Sequence, residues 1–363
     1  MKRFSFCSLL HVSLAATLFA IAFFALVACN NSEKKPEQAK LSIVATIYPE
    51  YDWIKEVLGS QADSVNLTLL LKNGIDLHSY KPTAQDIAKI ASADMVVFVG
   101  GESDEWIEDA LKATPKKGRF QINLMEVLGD RVKAEEIVEG MQAEEEHEHN
   151  KVAEPAEMTH NDEHEHHAEH AEEHEHHHHH DEEVENDEHV WLSLKNAEII
   201  VKKIAEELSK LDAAHAIIYK QNTDAYVAQI QALDAEYRET VEKAARKTVL
   251  FGDRFPFRYL VDDYSIKYYA AFVGCSAESE ASFETIAFLA GKMDAESLPV
   301  IFTIENSNGK IAKAVLVASK KSQNAQILIL NSMQSVTEKQ IAEGIDYLSL
   351  MKSNLDVLKK ALN

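Results

Sequence analysis

The 363-residue chain predicts an α/β fold of two lobes, each a four-stranded, mostly parallel sheet flanked by helices, joined by a long rigid helix. Three observations carry this prediction. Two separate series of four apolar, β-branched runs alternate with helical patterns. Between the two series, residues 215–246 contain neither Gly nor Pro. One segment, 141–188, has the composition of neither lobe.

Lys2 and Arg3 precede an apolar stretch that runs from Leu9 to Val27. Leu26-Val27-Ala28-Cys29 then stands before a polar segment. This is the layout of a secretory signal ending in a bacterial lipobox, with 1–28 as the signal peptide, Cys29 as the lipidated residue and 29–40 as a tether. An uncleaved membrane anchor is the alternative. Both place the rest of the chain outside the cytoplasm, tethered to a bacterial membrane at the cell surface or in the periplasm. Cys7 falls in the signal and Cys29 carries lipid, so Cys275 alone is left in the body and no intrachain disulfide is available.

The first lobe is expected over 41–210. Its strands are 42–48, 65–71, 94–99 and 120–124, with helices around 50–58, 82–92 and 103–112. Pro82 suits a first helical turn, where a missing N–H is no loss. Apolar residues recur at spacings of three and four from Leu194 to Leu211 and again from Tyr226 to Ala244. The second of these patterns makes 211–247 the linking segment, in which the stretch of some 30 residues at 215–246 gives a helix about 45 Å long at 1.5 Å per residue. The second lobe follows over 248–363. Its strands are 248–252, 266–272, 299–304 and 326–330, and its helices lie near 282–293, 309–320 and 337–360. Thr337 and Gln340 form a capping box at the start of the last helix.

The net charge of −23 argues against general nucleic-acid binding, which needs a basic surface. The charge is concentrated. Residues 141–189 hold 19 acidic residues against one lysine, together with most of the 17 histidines. So little of 141–188 is apolar that burial cannot offset the entropy of ordering it, and disorder is expected there.

In open α/β sheets, ligands bind beyond the carboxyl ends of the strands. The ligand-type residues at those ends are His78, His189 (in Asp187-Glu188-His189), Asp253, Glu278, Glu280 and Glu305. Imidazole with carboxylate suits Zn²⁺ or Mn²⁺, and imidazole favours zinc.

The segment Asn73-Gly74-Ile75-Asp76-Leu77-His78-Ser79-Tyr80-Lys81-Pro82-Thr83 resembles the histidine motif of zinc and manganese ABC-transporter substrate-binding proteins. So does Glu188-His189-Val190-Trp191-Leu192-Ser193, the second histidine motif, and so does the run from Ala93 to Gly101 with Glu105-Trp106. An acidic, His-rich loop just before the second motif is a habit of the zinc-specific branch. The resemblance covers essentially all of 41–363. It implies one metal held in an interlobe cleft, with His78 and His189 as ligands from the first lobe. Relatives supply a third ligand after the first strand of the second lobe. Here that stretch, Phe251 to Tyr259, has no histidine and Asp253 is the nearest candidate. Relatives also use a late carboxylate, and Glu305 occupies that strand end. Glu278 and Glu280 stand in reserve, in a stretch that resembles an acidic loop of the family.

The function that follows is capture of zinc, with manganese as the alternative, and its delivery to an ABC permease driven by an ATPase. The chain is expected to act as a monomer and not as an enzyme. No phosphate loop is present, so the ATPase is not encoded here. No His-Glu-x-x-His helix and no nucleophile elbow is present, so a zinc-dependent hydrolase is a remote alternative. A surface metal-buffering or adhesin lipoprotein is not separable by sequence. The His-rich segment contains five consecutive histidines, His176, His177, His178, His179 and His180. These are the expected low-affinity zinc ligands if the segment gathers metal. The segment reads equally as a solvated spacer.

Overall fold

Four strands at each end of the molecule are held by the same kind of connection. Successive parallel strands need a crossover, and helices supply it. The computed structural model describes residues 40–142, 185–274 and 280–363. The expected signal peptide, Cys29, Cys275 and Glu278 lie outside the described residues. So do the five expected low-affinity ligands, His176, His177, His178, His179 and His180.

The first lobe runs β1 (Ser42–Ala45), α1 (Tyr48–Leu58), β2 (Asn66–Leu69), α2 (Ala84–Ser92), β3 (Met95–Phe98), α3 (Glu105–Ala113), β4 (Phe120–Asn123) and α4 (Leu124–Leu128). Its strands are all parallel, in the order β2-β1-β3-β4. β3 is buried on both faces, which is why its sequence is an unbroken apolar run. Helix α2 starts at Ala84, later than Pro82 suggests. Thr83 is the cap, taking the Asp86 N–H on its hydroxyl while Asp86 takes the Thr83 N–H, so Pro82 precedes the helix.

The far end of the acidic insert pairs with the stretch that precedes it. Ala134 and Asn186 form an antiparallel bridge, flanked by hydrogen bonds from Glu135 N to Glu185 O and from Asp187 N to Lys133 O, both 2.8 Å. The returning chain is thus fixed to the first lobe just before His189, whereas the outgoing end reaches the second lobe, where Gln142 N donates to Ala271 O (3.0 Å) and Gln142 Oε1 accepts the Ser282 N–H (2.7 Å).

Two helices follow, α5 (Leu194–Leu211) and α6 (Ala216–Lys243). At 28 residues, α6 spans about 42 Å. Its buried face, Tyr219, Tyr226, Val227, Ile230, Leu233, Tyr237 and Val241, belongs to one core that continues from the first lobe into the inner side of the second. Near one end Asn222 donates to Val57 O (2.9 Å) on α1, and nearer the other Tyr237 donates to Met351 O (2.5 Å) in the second lobe. Both lobes thus grip the same rod.

The second lobe runs β5 (Thr248–Phe255), α7 (Arg258–Tyr264), β6 (Lys267–Val273), α8 (Phe283–Glu296), β7 (Val300–Thr303), α9 (Lys310–Ala318), β8 (Gln326–Ile329), α10 (Glu338–Ala342) and α11 (Tyr347–Leu362). The sheet order, β6-β5-β7-β8, repeats that of the first lobe. The expected helix over 337–360 is two helices. Gly344 takes a φ of +89°, a left-handed value that ends α10, and Asp346 caps α11 by accepting Ser349 N–H. Strand β5 is longer than expected. Its pairing with β6 shifts register between Phe251 and Arg254 and then resumes. Asp253 consequently lies inside an irregular strand and not in a loop beyond it.

Candidate metal centre

Two imidazoles separated by 111 residues in sequence meet at the carboxyl edge of the first sheet. Their Nε2 atoms are 3.2 Å apart. His78 sits on a short turn, Leu77–Ser79, pinned by buried Leu77 and by Asp76, whose Oδ1 accepts the His78 N–H (3.0 Å). His189 follows the Ala134–Asn186 bridge and is fully buried. Asp187 Oδ1 accepts both its N–H (2.8 Å) and its ring Nδ1–H (2.9 Å).

Each ring is oriented from behind. His78 Nδ1 is 2.8 Å from Ser103 Oγ and 3.6 Å from Glu188 Oε2, while Glu188 Oε1 accepts Ser103 N–H at 2.8 Å. With both Nδ1 atoms facing acceptors, hydrogens belong there and the lone pairs stand at Nε2, which is the arrangement of metal-ligating histidine. Burial, and then the neighbouring His189 ring, push the His78 imidazole well below its ordinary value, which favours the neutral ring. Burial also pushes the Glu188 carboxyl up.

Two glycines make room for this. Gly101 has φ +84°, and a Cβ there would lie 2.4 Å from Glu188 Oε1. A Cβ on Gly274, at the end of β6, would meet Phe255 O at 2.8 Å and His189 Cε1 at 3.0 Å. Tyr259 from α7 adds a polar link between lobes. Its hydroxyl donates to Asp187 O (2.8 Å) and accepts Lys133 N–H (3.0 Å), fixing the segment that presents His189.

The second lobe answers the imidazole pair with Gln334. Its Nε2 is in contact with His189 Nε2 and is 3.3 Å from His78 Nε2. Its Oε1 is 3.4 Å from Arg254 Nη2, and that guanidinium also pairs with Asp76 Oδ2.

Among the described residues, no group of three or more His, Cys, Asp or Glu is gathered as a metal site. The expected pair His78 and His189 is brought together; Asp253 and Glu305 are not grouped with it. Asp253 Oδ1 accepts the N–H of Arg254 (3.0 Å) at the β5 irregularity. Glu305 braces the turn after β8, accepting Ser332 N–H (2.6 Å), Ser332 Oγ–H (2.8 Å) and Gln334 N–H (3.1 Å). Burial pushes its carboxyl up against these bonds. Glu280 is exposed just before α8. Glu305 therefore contributes by holding Gln334 in place.

The strand-end search missed Gln334 and Arg254. Gln334 does follow a strand end, that of β8, but a neutral amide is a weak metal signal. Arg254 adjoins Asp253, and only the register shift reveals where its side chain goes.

The chain is similar to known proteins. Residues 43–361 fit the family model described as "Zinc-uptake complex component A periplasmic". The chain is 31% identical over 335 residues to the zinc-binding lipoprotein AdcA of Streptococcus pneumoniae, covering 92% of this chain and 58% of that protein. It thus spans little more than half the length of that relative. It is 30% identical over 351 residues to the high-affinity zinc uptake system protein ZnuA of Bacillus subtilis, covering 95% of this chain and 97% of the relative. Among solved structures, the Zn(II)-bound ZnuA-like domain of S. pneumoniae AdcA superposes with a TM-score of 0.63 at 26% identity, over 89% of this chain and 99% of that domain.

Proposed function

The chain belongs to the periplasmic zinc-uptake component A family, and from that membership we propose that it captures zinc outside the cytoplasm and hands it to a membrane permease. The observation that carries the reading is the converging pair of Nε2 lone pairs on His78 and His189, each ring braced through Nδ1. Zinc accepts imidazole nitrogen readily and tolerates a mixed nitrogen and oxygen set. The imidazole pair favours zinc over manganese, whose preference is for oxygen donors. Relatives named lipoproteins support a lipid anchor at Cys29. Among the described residues no helix is long and apolar enough to cross a membrane. The permease and the ATPase that drives it are separate chains. The role is that of a carrier: the groups around the imidazoles orient them.

Zinc titration of the full chain, read against a competing chelator, tests this. The expected result is one tight zinc per chain, lost in both His78→Ala and His189→Ala. Retention of the tight zinc in both variants refutes the site. Unimpaired zinc uptake by cells lacking the protein at limiting zinc refutes the transport role.

A further inference from the structure

The second lobe brings a guanidinium to the face of the imidazole pair, where a cation site calls for lone pairs. Arg254 and Asp76 are mostly buried, with side chains 18% and 14% exposed. Asp76 holds the His78 backbone on one oxygen and Arg254 on the other. Arg254 in turn donates to Gln334 Oε1, and the Gln334 amide nitrogen covers both Nε2 atoms. A continuous polar chain thus runs from the first lobe through Arg254 to the amide and back to the first lobe.

The direction of the amide follows from its neighbours. Both Nε2 atoms carry lone pairs, so they accept hydrogens from the amide NH2. The guanidinium has only donors, so it requires the amide oxygen. Turning the amide over sets its oxygen against two lone pairs and its NH2 against a cation.

We propose that Arg254 is a positioning residue that sets the affinity of the zinc site, by holding the Gln334 amide with its hydrogens over the imidazole lone pairs. The inference rests on the reading of His78 and His189 as the zinc ligands. An arriving divalent cation needs those lone pairs. It must displace the NH2, and it does so near a fixed like charge. If the amide turns, its oxygen becomes a neutral donor to the cation, but its NH2 then faces Arg254. The guanidinium therefore withdraws toward Asp76, which remains its partner. Arg254 in this way opposes retention of the ion as well as entry, which suits a carrier that must let go.

The test is a double-mutant cycle on the full chain, with Arg254→Met, Gln334→Leu and the double variant. Zinc affinity is read by chelator competition, with His189→Ala as the blank. Arg254→Met is expected to tighten zinc about tenfold or more, because no cation then holds the Gln334 amide with its hydrogens over the lone pairs the ion needs. The gain is expected to shrink clearly in the Gln334→Leu background. The ligand-field bands of the cobalt(II) form should be the same in wild type and Arg254→Met, because Arg254 is not a ligand. Unchanged or weaker binding in Arg254→Met overturns the proposal, as does an equal gain in both backgrounds. Should Arg254→Met fail to fold, Asp76→Asn decides: it deprives Arg254 of its retreat, and zinc should weaken several-fold, with unchanged or tighter binding overturning the proposal. Wild-type zinc affinity in His189→Ala would instead remove the underlying site.

Discussion

The two lobes share one sheet order, β2-β1-β3-β4 in the first and β6-β5-β7-β8 in the second, yet their strand ends carry opposite chemistry. The first lobe presents two imidazoles, each backed by a hydrogen-bonding acceptor. The second presents an amide, a guanidinium and a carboxylate consumed in bracing a turn. One lobe supplies lone pairs and the other regulates access to them. The lesson is that topology fixes where a site can be, since strand ends and helix starts converge there, while the few residues just beyond each strand decide what the site does.

The comparison breaks most visibly at the group behind His189. Asp187→Asn should weaken zinc by about 10- to 100-fold, the usual cost of losing a partner that orients a ligating histidine. Competition titration checks this, and an unchanged affinity would mean that the acceptors behind the rings are decorative. A brace in the second lobe should register as stability first. Glu305→Ala leaves the Ser332 and Gln334 amides without their acceptor, and should cost roughly 3 kcal/mol in urea unfolding. A loss of only a few tenths would show that the turn does not depend on Glu305.

The smallest effect concerns pH, and it belongs chiefly to the first lobe. Burial pushes Glu50 up to about 8, and it pushes Asp52 and Asp104 each up to about 7. Folded carboxyls with raised values hold protons that the unfolded chain releases. Their stabilisation is complete below about pH 4 and is lost as pH rises through 7 to 8. Metal-free protein should therefore melt a few degrees lower at pH 8.5 than at pH 5.5, with Glu50→Gln flattening the difference. A melting temperature that climbs over this range would contradict the assignment of protonated carboxyls behind the site.

Much of this molecule is legible in the chain. The described strands appear where β-branched apolar runs stand, and β3 and β7 are apolar or small throughout because both their faces are covered. Helix α6 is announced by its three-and-four spacing and by the lack of Gly and Pro. The break at Gly344 is less legible, since the apolar pattern continues past it and the left-handed φ is a backbone property. His78 and His189 are readable from their motifs and from the strand-end rule. Gln334 and Arg254 are not, for an amide and a guanidinium carry no metal signal until they are seen against the rings.

The sequence by itself determined the two lobes, the rod between them, the family and the two imidazoles. Each follows from a local pattern: periodicity, composition or a short motif. Only the tertiary structure decided that Glu305 is a brace, that Asp253 lies within a strand, and that Arg254 governs the amide facing the histidines. These outcomes depend on a register shift within one strand pair and on contacts between residues as far as 256 positions apart, which no local pattern encodes.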